Sequence, residues 1–334
     1  MSEKEFVHFH CHSEFSINTS LIRIPALVEH AEKNQFKSIA ITDSFNLFSA
    51  VKFYQKSIAK KIKPIFGSEL KIKNSEGDIY SLIALCKDHQ GYLNLSELIS
   101  IAYSYEQGIE GIYLNESDIV KHNSGLIFIS TAINSDISRD LISKNVDDAI
   151  LKANTWKGLL GDRFYLAVQR TQKENDEFHL SETLKLASKL DIPVIATNDV
   201  QFLNKADFDA HEARICIAEG MLLDDPRREK RISSEQYYKS AEEMISLFSD
   251  LPELIANTVE LAKRCNVHFS LFEKNYLPVF PIPEGMTISQ FFREESSKGL
   301  EMRLQGTELD RDLYFERLNF ELDVIIKMDS QGIS

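Results

Sequence analysis

Short apolar runs alternate with helical patterns through roughly the first 200 residues, and no other feature of the chain restricts its fold as strongly. The segments Val7–His10, Ser38–Asp43, Glu69–Ile72, Tyr80–Cys86, Leu126–Ser130, Phe164–Gln169 and Pro193–Thr197 read as strands. Between them, 25–33, 47–61, 91–105, 136–143, 146–160 and 174–190 carry apolar residues at helical spacing. Strands that are apolar throughout and joined by helices predict a parallel sheet covered on both faces. A closed barrel and an open sheet satisfy that pattern equally, and in both the functional groups gather just past the C-terminal strand ends.

Those ends are polar here. They carry His10 and His12, Thr42 and Asp43, Gly67 to Glu69, Ser130 and Thr131, and Asn198 and Asp199. In the first, His8, His10 and His12 occupy alternate positions. A strand would turn them to one side and Phe9 and Cys11 to the other. Neutral imidazole is the commonest transition-metal ligand. Three of the nine histidines within five residues therefore point to a metal site or its remnant rather than to an incidental wet face. His211, in a helix with acidic neighbours, reads as structural.

The chain has 334 residues, enough for one large α/β domain or two smaller ones. It carries 51 acidic and 38 basic side chains, a formal net charge of −13. That balance argues against a surface given over to nucleic acid, which would be basic. Cys11, Cys86, Cys216 and Cys265 lie far apart with no Cys-x-x-Cys pair, so neither a zinc knuckle nor a disulfide framework is motivated. No P-loop, dinucleotide fingerprint or nucleophile elbow occurs. The start is polar, and no apolar run approaches membrane-span length. A reduced, cytoplasmic protein with no membrane partner is expected.

Past residue 203 the pattern turns helical, at 205–219, 240–249 and 252–264. Leu222–Arg231 reads as a solvated, charged connector whose basic residues could touch phosphates. The proline-bearing stretch Asn275–Pro283 marks a boundary, dividing 1–275 from 276–334. Two amphipathic helices follow, at 287–305 and 310–328. The closing Met328–Ser334 has no usual terminal character, and a fragment of a longer protein is expected.

The opening Phe6–Ser16 (FVHFHCHSEFS) resembles the first motif of the PHP (polymerase and histidinol phosphatase) domain. Ala40–Leu47 (AITDSFNL), Ala50–Tyr54 (AVKFY) and Ile62–Gly67 (IKPIFG) are similar to the motifs that follow it. Ala196–Phe202 (ATNDVQF), Asp209–Glu212 (DAHE), Leu223–Pro226 (LDDP) and Asn257–Val267 (NTVELAKRCNV) extend the resemblance. Together they look like the N-terminal region of bacterial replicative polymerases of the DNA polymerase III alpha type, in its proteobacterial form.

The resemblance implies an α/β fold, a distorted seven-stranded (β/α) barrel over 1–275, then the mostly helical start of a polymerase palm region over 276–334. In family members that keep their chemistry, it implies a cluster of up to three metal ions at the barrel mouth, activating water against a phosphoester. Here His10, His12, Glu69 and Asp199 stand at ligand positions, whereas Thr19, Ser44, Ser81, Ala132 and Gln201 stand where ligands are lost. Four kept positions against five lost ones imply a vestigial site, no tightly bound cofactor and no catalysis by this region. The implied role is a scaffold and docking platform for the proofreading 3′–5′ exonuclease subunit and other replicase subunits. Mg2+ and DNA would belong to polymerase domains beyond Ser334. The alternative is an active metal-dependent phosphoesterase or 3′–5′ exonuclease built on His8, His10, His12, Glu69 and Asp199.

Overall fold

The computed structural model describes residues 5–105, 111–271 and 280–330. The chain forms two compact units, 1–269 and 270–334. In the first, α1 (Ile24–Lys33) precedes β1 (Ser38–Ser44), followed by α2 (Ala50–Ala59), β2 (Lys63–Lys73) and β3 (Ile79–Cys86). Then come α3 (His89–Ser104), the two-residue β4 (Leu114–Asn115), α4 (Glu116–His122) and β5 (Leu126–Ser130). Helices α5 (Asp136–Ile142) and α6 (Val146–Leu160) lead to β6 (Phe164–Gln169), α7 (Asp176–Leu190) and β7 (Val194–Thr197). Helices α8 (Phe208–Glu219), α9 (Ala241–Leu247) and α10 (Pro252–Arg264) complete this unit. The second unit holds α11 (Ile288–Leu304) and α12 (Arg311–Lys327), joined by an Arg293–Asp323 ion pair. Of the proline-bearing stretch, residues 275–279 lie outside the described residues, as do 331–334 of the tail.

The helix starts follow capping chemistry. Asp88 accepts from Gly91 N at the head of α3, and Ser240 with Glu243 and Thr287 with Gln290 form capping boxes for α9 and α11. Pro25 and Pro252 sit in the first turns of α1 and α10, where a missing N–H costs nothing.

Seven strands make one curled sheet in the order β1-β2-β3-β5-β6-β7, with β4 pairing β2 off this path. The sheet is mixed, not parallel as the sequence pattern predicted. β3 runs antiparallel to both β2 and β5, while β1–β2, β5–β6 and β6–β7 are parallel. The cause is the short link between β2 and β3, a turn around Gly77 at φ +96°, where Asn74 Oδ1 accepts from Glu76 N and Asp78 N. A link that short cannot cross over the sheet, as a parallel return requires.

The expected first strand at Val7–His10 is an extended segment without a regular ladder. Threonine hydroxyls supply bonds that a neighbouring strand would otherwise make. Cys11 N donates to Thr42 Oγ1 (3.0 Å), Thr42 Oγ1 donates to Phe9 O (3.2 Å), and Val7 N donates to Thr258 Oγ1 (3.3 Å). Backbone bonds then tie this segment to both ends of the sheet. Thr42 N donates to Cys11 O (2.9 Å), Val200 N to His10 O (2.9 Å) and His12 N to Val200 O (3.1 Å). The N-terminal segment thus links the β1 edge to the chain leaving β7. Val7 and Phe9 join Ala40, Ile65, Ile83 and Ile127 in one buried apolar cluster, which Leu261 and Ala262 of α10 also enter.

Candidate metal centre

The mouth of the curled sheet is set by its backbone. Gly67 lies two residues before Glu69, and a Cβ there would sit 2.6 Å from the Ala84 carbonyl oxygen. Only glycine lets β1, β2 and β3 close this tightly beside Glu69. Asp199, two residues past β7, takes φ +43°, a left-handed conformation that aspartate tolerates better than most residues.

These elements bring four expected side chains together. His10 Nε2 lies 3.5 Å from Glu69 Oε2 and 3.3 Å from Asp199 Oδ1. His12 Nε2 lies 3.1 Å from Glu69 Oε2 and 3.2 Å from His10 Nε2. A tetrahedral zinc ion with bonds near 2.0–2.1 Å separates its ligand atoms by about 3.3 Å. The His10, His12 and Glu69 atoms therefore form a triangle of the size one such ion requires. Among the described residues, this is the one group of three or more His, Cys, Asp or Glu side chains close enough to share an ion.

His8 does not join them, which corrects its place in the active-enzyme alternative. It is fully buried, its Nε2 donates to Lys239 O at 2.8 Å, and its ring packs against Tyr238 and Phe6. Burial lowers its pKa to about 3, so it is held neutral. His211 is likewise structural: it is buried and its Nε2 donates to Thr19 O at 2.8 Å.

The charged groups at the mouth act on one another. Burial opposes charging His10, but Asp199 and Glu69 overcome it and lift the His10 pKa to about 9. Burial would raise the Glu69 pKa, yet the His10 and His12 rings beside it outweigh burial and hold that carboxyl well below its usual range. A metal would have to displace the His10 proton before binding.

The other acids near the mouth are committed to donors. Asp43 accepts from Ser13 N (2.7 Å), Ser13 Oγ (2.7 Å), Ser16 Oγ (2.6 Å) and Ser49 Oγ (3.3 Å). Because Ser16 spends its one proton on Asp43, it must accept from His12 Nδ1 at 3.2 Å. Asp199 accepts from Gln201 Nε2 at Oδ1 (2.6 Å) and from Gln236 Nε2 at Oδ2 (2.9 Å).

The remaining expected positions hold no metal-binding group. Thr19 is exposed and its hydroxyl donates to Ser16 O. Ser44 donates its backbone N–H to Ser16 Oγ, and Ser81 accepts at its backbone oxygen from Thr131 Oγ1. Ala132 is buried. Gln201 is the partner of Asp199 just described. The connector at 222–231 is mostly exposed, as the solvated reading has it, but Arg228 turns inward and forms a buried 2.6 Å ion pair with Glu212. Gln236 was not foreseen, since it lies in a loop and reaches Asp199 across 37 residues of sequence.

A cluster of several ions needs bridging carboxylates with free lone pairs. Asp43 spends its carboxylate on four N–H and O–H donors and Asp199 accepts from two amides, while His10, His12 and Glu69 are spaced to share one ion. Among the described residues, no helix is long and apolar enough to cross a membrane.

The PHP domain family matches residues 8–171. The chain is 44% identical to the DNA polymerase III subunit alpha of Pseudomonas fluorescens and 43% identical to that of Pseudomonas aeruginosa. Each alignment covers 98% of this chain but 29% of the relative, so the chain spans less than a third of their length. A solved Bifidobacterium adolescentis protein, provisionally described as a metal-dependent phosphoesterase, aligns over 58% of this chain and 87% of its own, with 14% identity and a TM-score of 0.43. With the domain family matching from residue 8 through β6 and the polymerase relatives aligned along 98% of the chain, the chain carries a PHP domain and corresponds in sequence to the N-terminal region of DNA polymerase III alpha subunits.

Proposed function

We propose that this barrel is a catalytically inactive scaffold within the alpha subunit of a replicative DNA polymerase. It serves there as a docking platform for the proofreading 3′–5′ exonuclease subunit. The observation that carries the reading is the commitment of Asp199 and Asp43 to amide and hydroxyl donors, which leaves His10, His12 and Glu69 to hold at most one ion. An ion bound there would have to displace the proton that His10 holds, so its affinity would fall as pH is lowered. Phosphoester chemistry at a multi-metal site needs ions on both the attacking and leaving oxygens.

Residues 1–275 form the PHP domain in this reading, and 276–334 begin the palm region. Template-directed DNA synthesis, its Mg2+ and its DNA contacts belong to domains beyond this chain. The complete protein works in the cytoplasm with the other replicase subunits. A formal net charge of −13 suits a module that docks proteins rather than one that grips DNA.

A second reading, an active metal-dependent phosphoesterase or 3′–5′ exonuclease, draws support from the near-tetrahedral spacing of His10, His12 and Glu69. Binding distinguishes the two. Calorimetric titration of the chain with the purified exonuclease subunit is expected to give the same affinity in EDTA as in excess Zn2+. No binding, or binding that EDTA abolishes, would contradict the scaffold reading.

A further inference from the structure

We propose that the side-chain amides of Gln201 and Gln236 take the place of metal ions as the clamp that fixes Asp199 at the barrel mouth. This deepens the scaffold reading and rests on it. The two amides reach the carboxylate from different parts of the chain, Gln201 Nε2 to Oδ1 at 2.6 Å and Gln236 Nε2 to Oδ2 at 2.9 Å. Gln236 Nε2 also lies 3.1 Å from the Asp199 backbone oxygen. Both glutamines are buried, at 4% and 0% exposure.

Gln236 is itself immobilised. Its Oε1 accepts from Ser233 N at 3.0 Å, and its backbone oxygen accepts from Gln201 N at 3.0 Å. The clamp is therefore a closed ring of hydrogen bonds rather than a chance contact. Gln201 Oε1, by contrast, is buried with no partner. A buried acceptor without a donor is costly, so the amide hydrogens are what this position retains.

The clamp sits where closure of the barrel depends on it. Asp199 holds a left-handed backbone at φ +43°, which needs support from its surroundings. The next residue, Val200, makes two of the bonds that tie the N-terminal segment in place, to His10 O and from His12 N. An ion shared by the histidines and Asp199 would draw the same segments together. Two neutral amides do so without added charge, one on each carboxylate oxygen, where an ion binding Asp199 would compete with them.

The test uses the whole chain, with the thermal midpoint and zinc affinity measured against a competing chelator. The variants are Gln201→Glu and Gln236→Glu, each of which keeps the shape and replaces donors by acceptors. The native midpoint should be the same in EDTA and in Zn2+. Each variant should melt earlier in EDTA, recover in Zn2+, and bind Zn2+ roughly tenfold or more tightly than the native chain. If a variant folds only with Zn2+ present, that too supports the exchange of amide for ion. Variants that melt earlier without recovery in Zn2+, or that bind Zn2+ no better than the native chain, overturn the clamp alone. Two or more tightly held ions in the native chain overturn both the clamp and the scaffold reading.

Discussion

Histidines with opposite electrostatics lie in one barrel. Burial holds His8 and His179 neutral, with pKa values of about 3 and about 4, while the carboxylates around His10 lift it to about 9. The folded pKa values of His8 and His179 lie below the usual 6.5. Their contribution to stability is therefore complete above pH 6.5 and is lost as pH falls toward 4 and 3. That of His10 is complete below pH 6.5 and is lost as pH rises through 9. We predict a stability maximum near pH 6.5 in urea unfolding. His8→Gln, which keeps a donor for Lys239 O, should flatten the acid limb by up to about 1.4 kcal/mol per pH unit. An acid limb as steep in His8→Gln as in the native chain would show that His8 is not held neutral. His10, His12, Glu69 and Asp199 could be singled out in the sequence through the resemblance to PHP motifs, although Glu69 lies inside β2 and the two histidines in a segment without a regular ladder. Their partners Gln236 and Ser16 could not, because no periodicity connects loop residues that meet only in three dimensions.

At the level of elements, the apolar runs of β5, β6 and β7 matched their strands closely, since buried strands have a distinctive composition. The helices after residue 203 were equally legible. Strand direction was not. The antiparallel course of β3 follows from a short turn, and a run of apolar residues carries no sign of direction. Two-residue β4 is too short to leave a pattern. The N-terminal segment resembled an ordinary strand but depends on Thr42 in place of part of a ladder. Thr42→Val keeps the shape and leaves Cys11 N–H without its acceptor, which should cost about 1–3 kcal/mol. Thr258→Val, which loses the longer bond from Val7 N and a bond back to Ile255 O that its helix does not depend on, should cost less. Chemical unfolding compares them, and hydrogen exchange should show faster exchange at Cys11 in the first variant. Equal costs would contradict the assigned role of Thr42.

Taken whole, the barrel keeps the outline of a metal centre while committing most of its carboxylates to its own donors. Two imidazoles and one carboxylate keep the spacing of a single-ion site, and the acids around them serve the fold. Whether the native chain holds and uses a metal cluster decides between a scaffold and an enzyme. Elemental analysis of the purified chain after dialysis, paired with a phosphoesterase assay in added Mn2+, measures this directly. We expect well under one zinc or manganese per chain and no turnover above that of a His10→Ala, His12→Ala variant. Two or three ions per chain, with turnover that this variant loses, would contradict it.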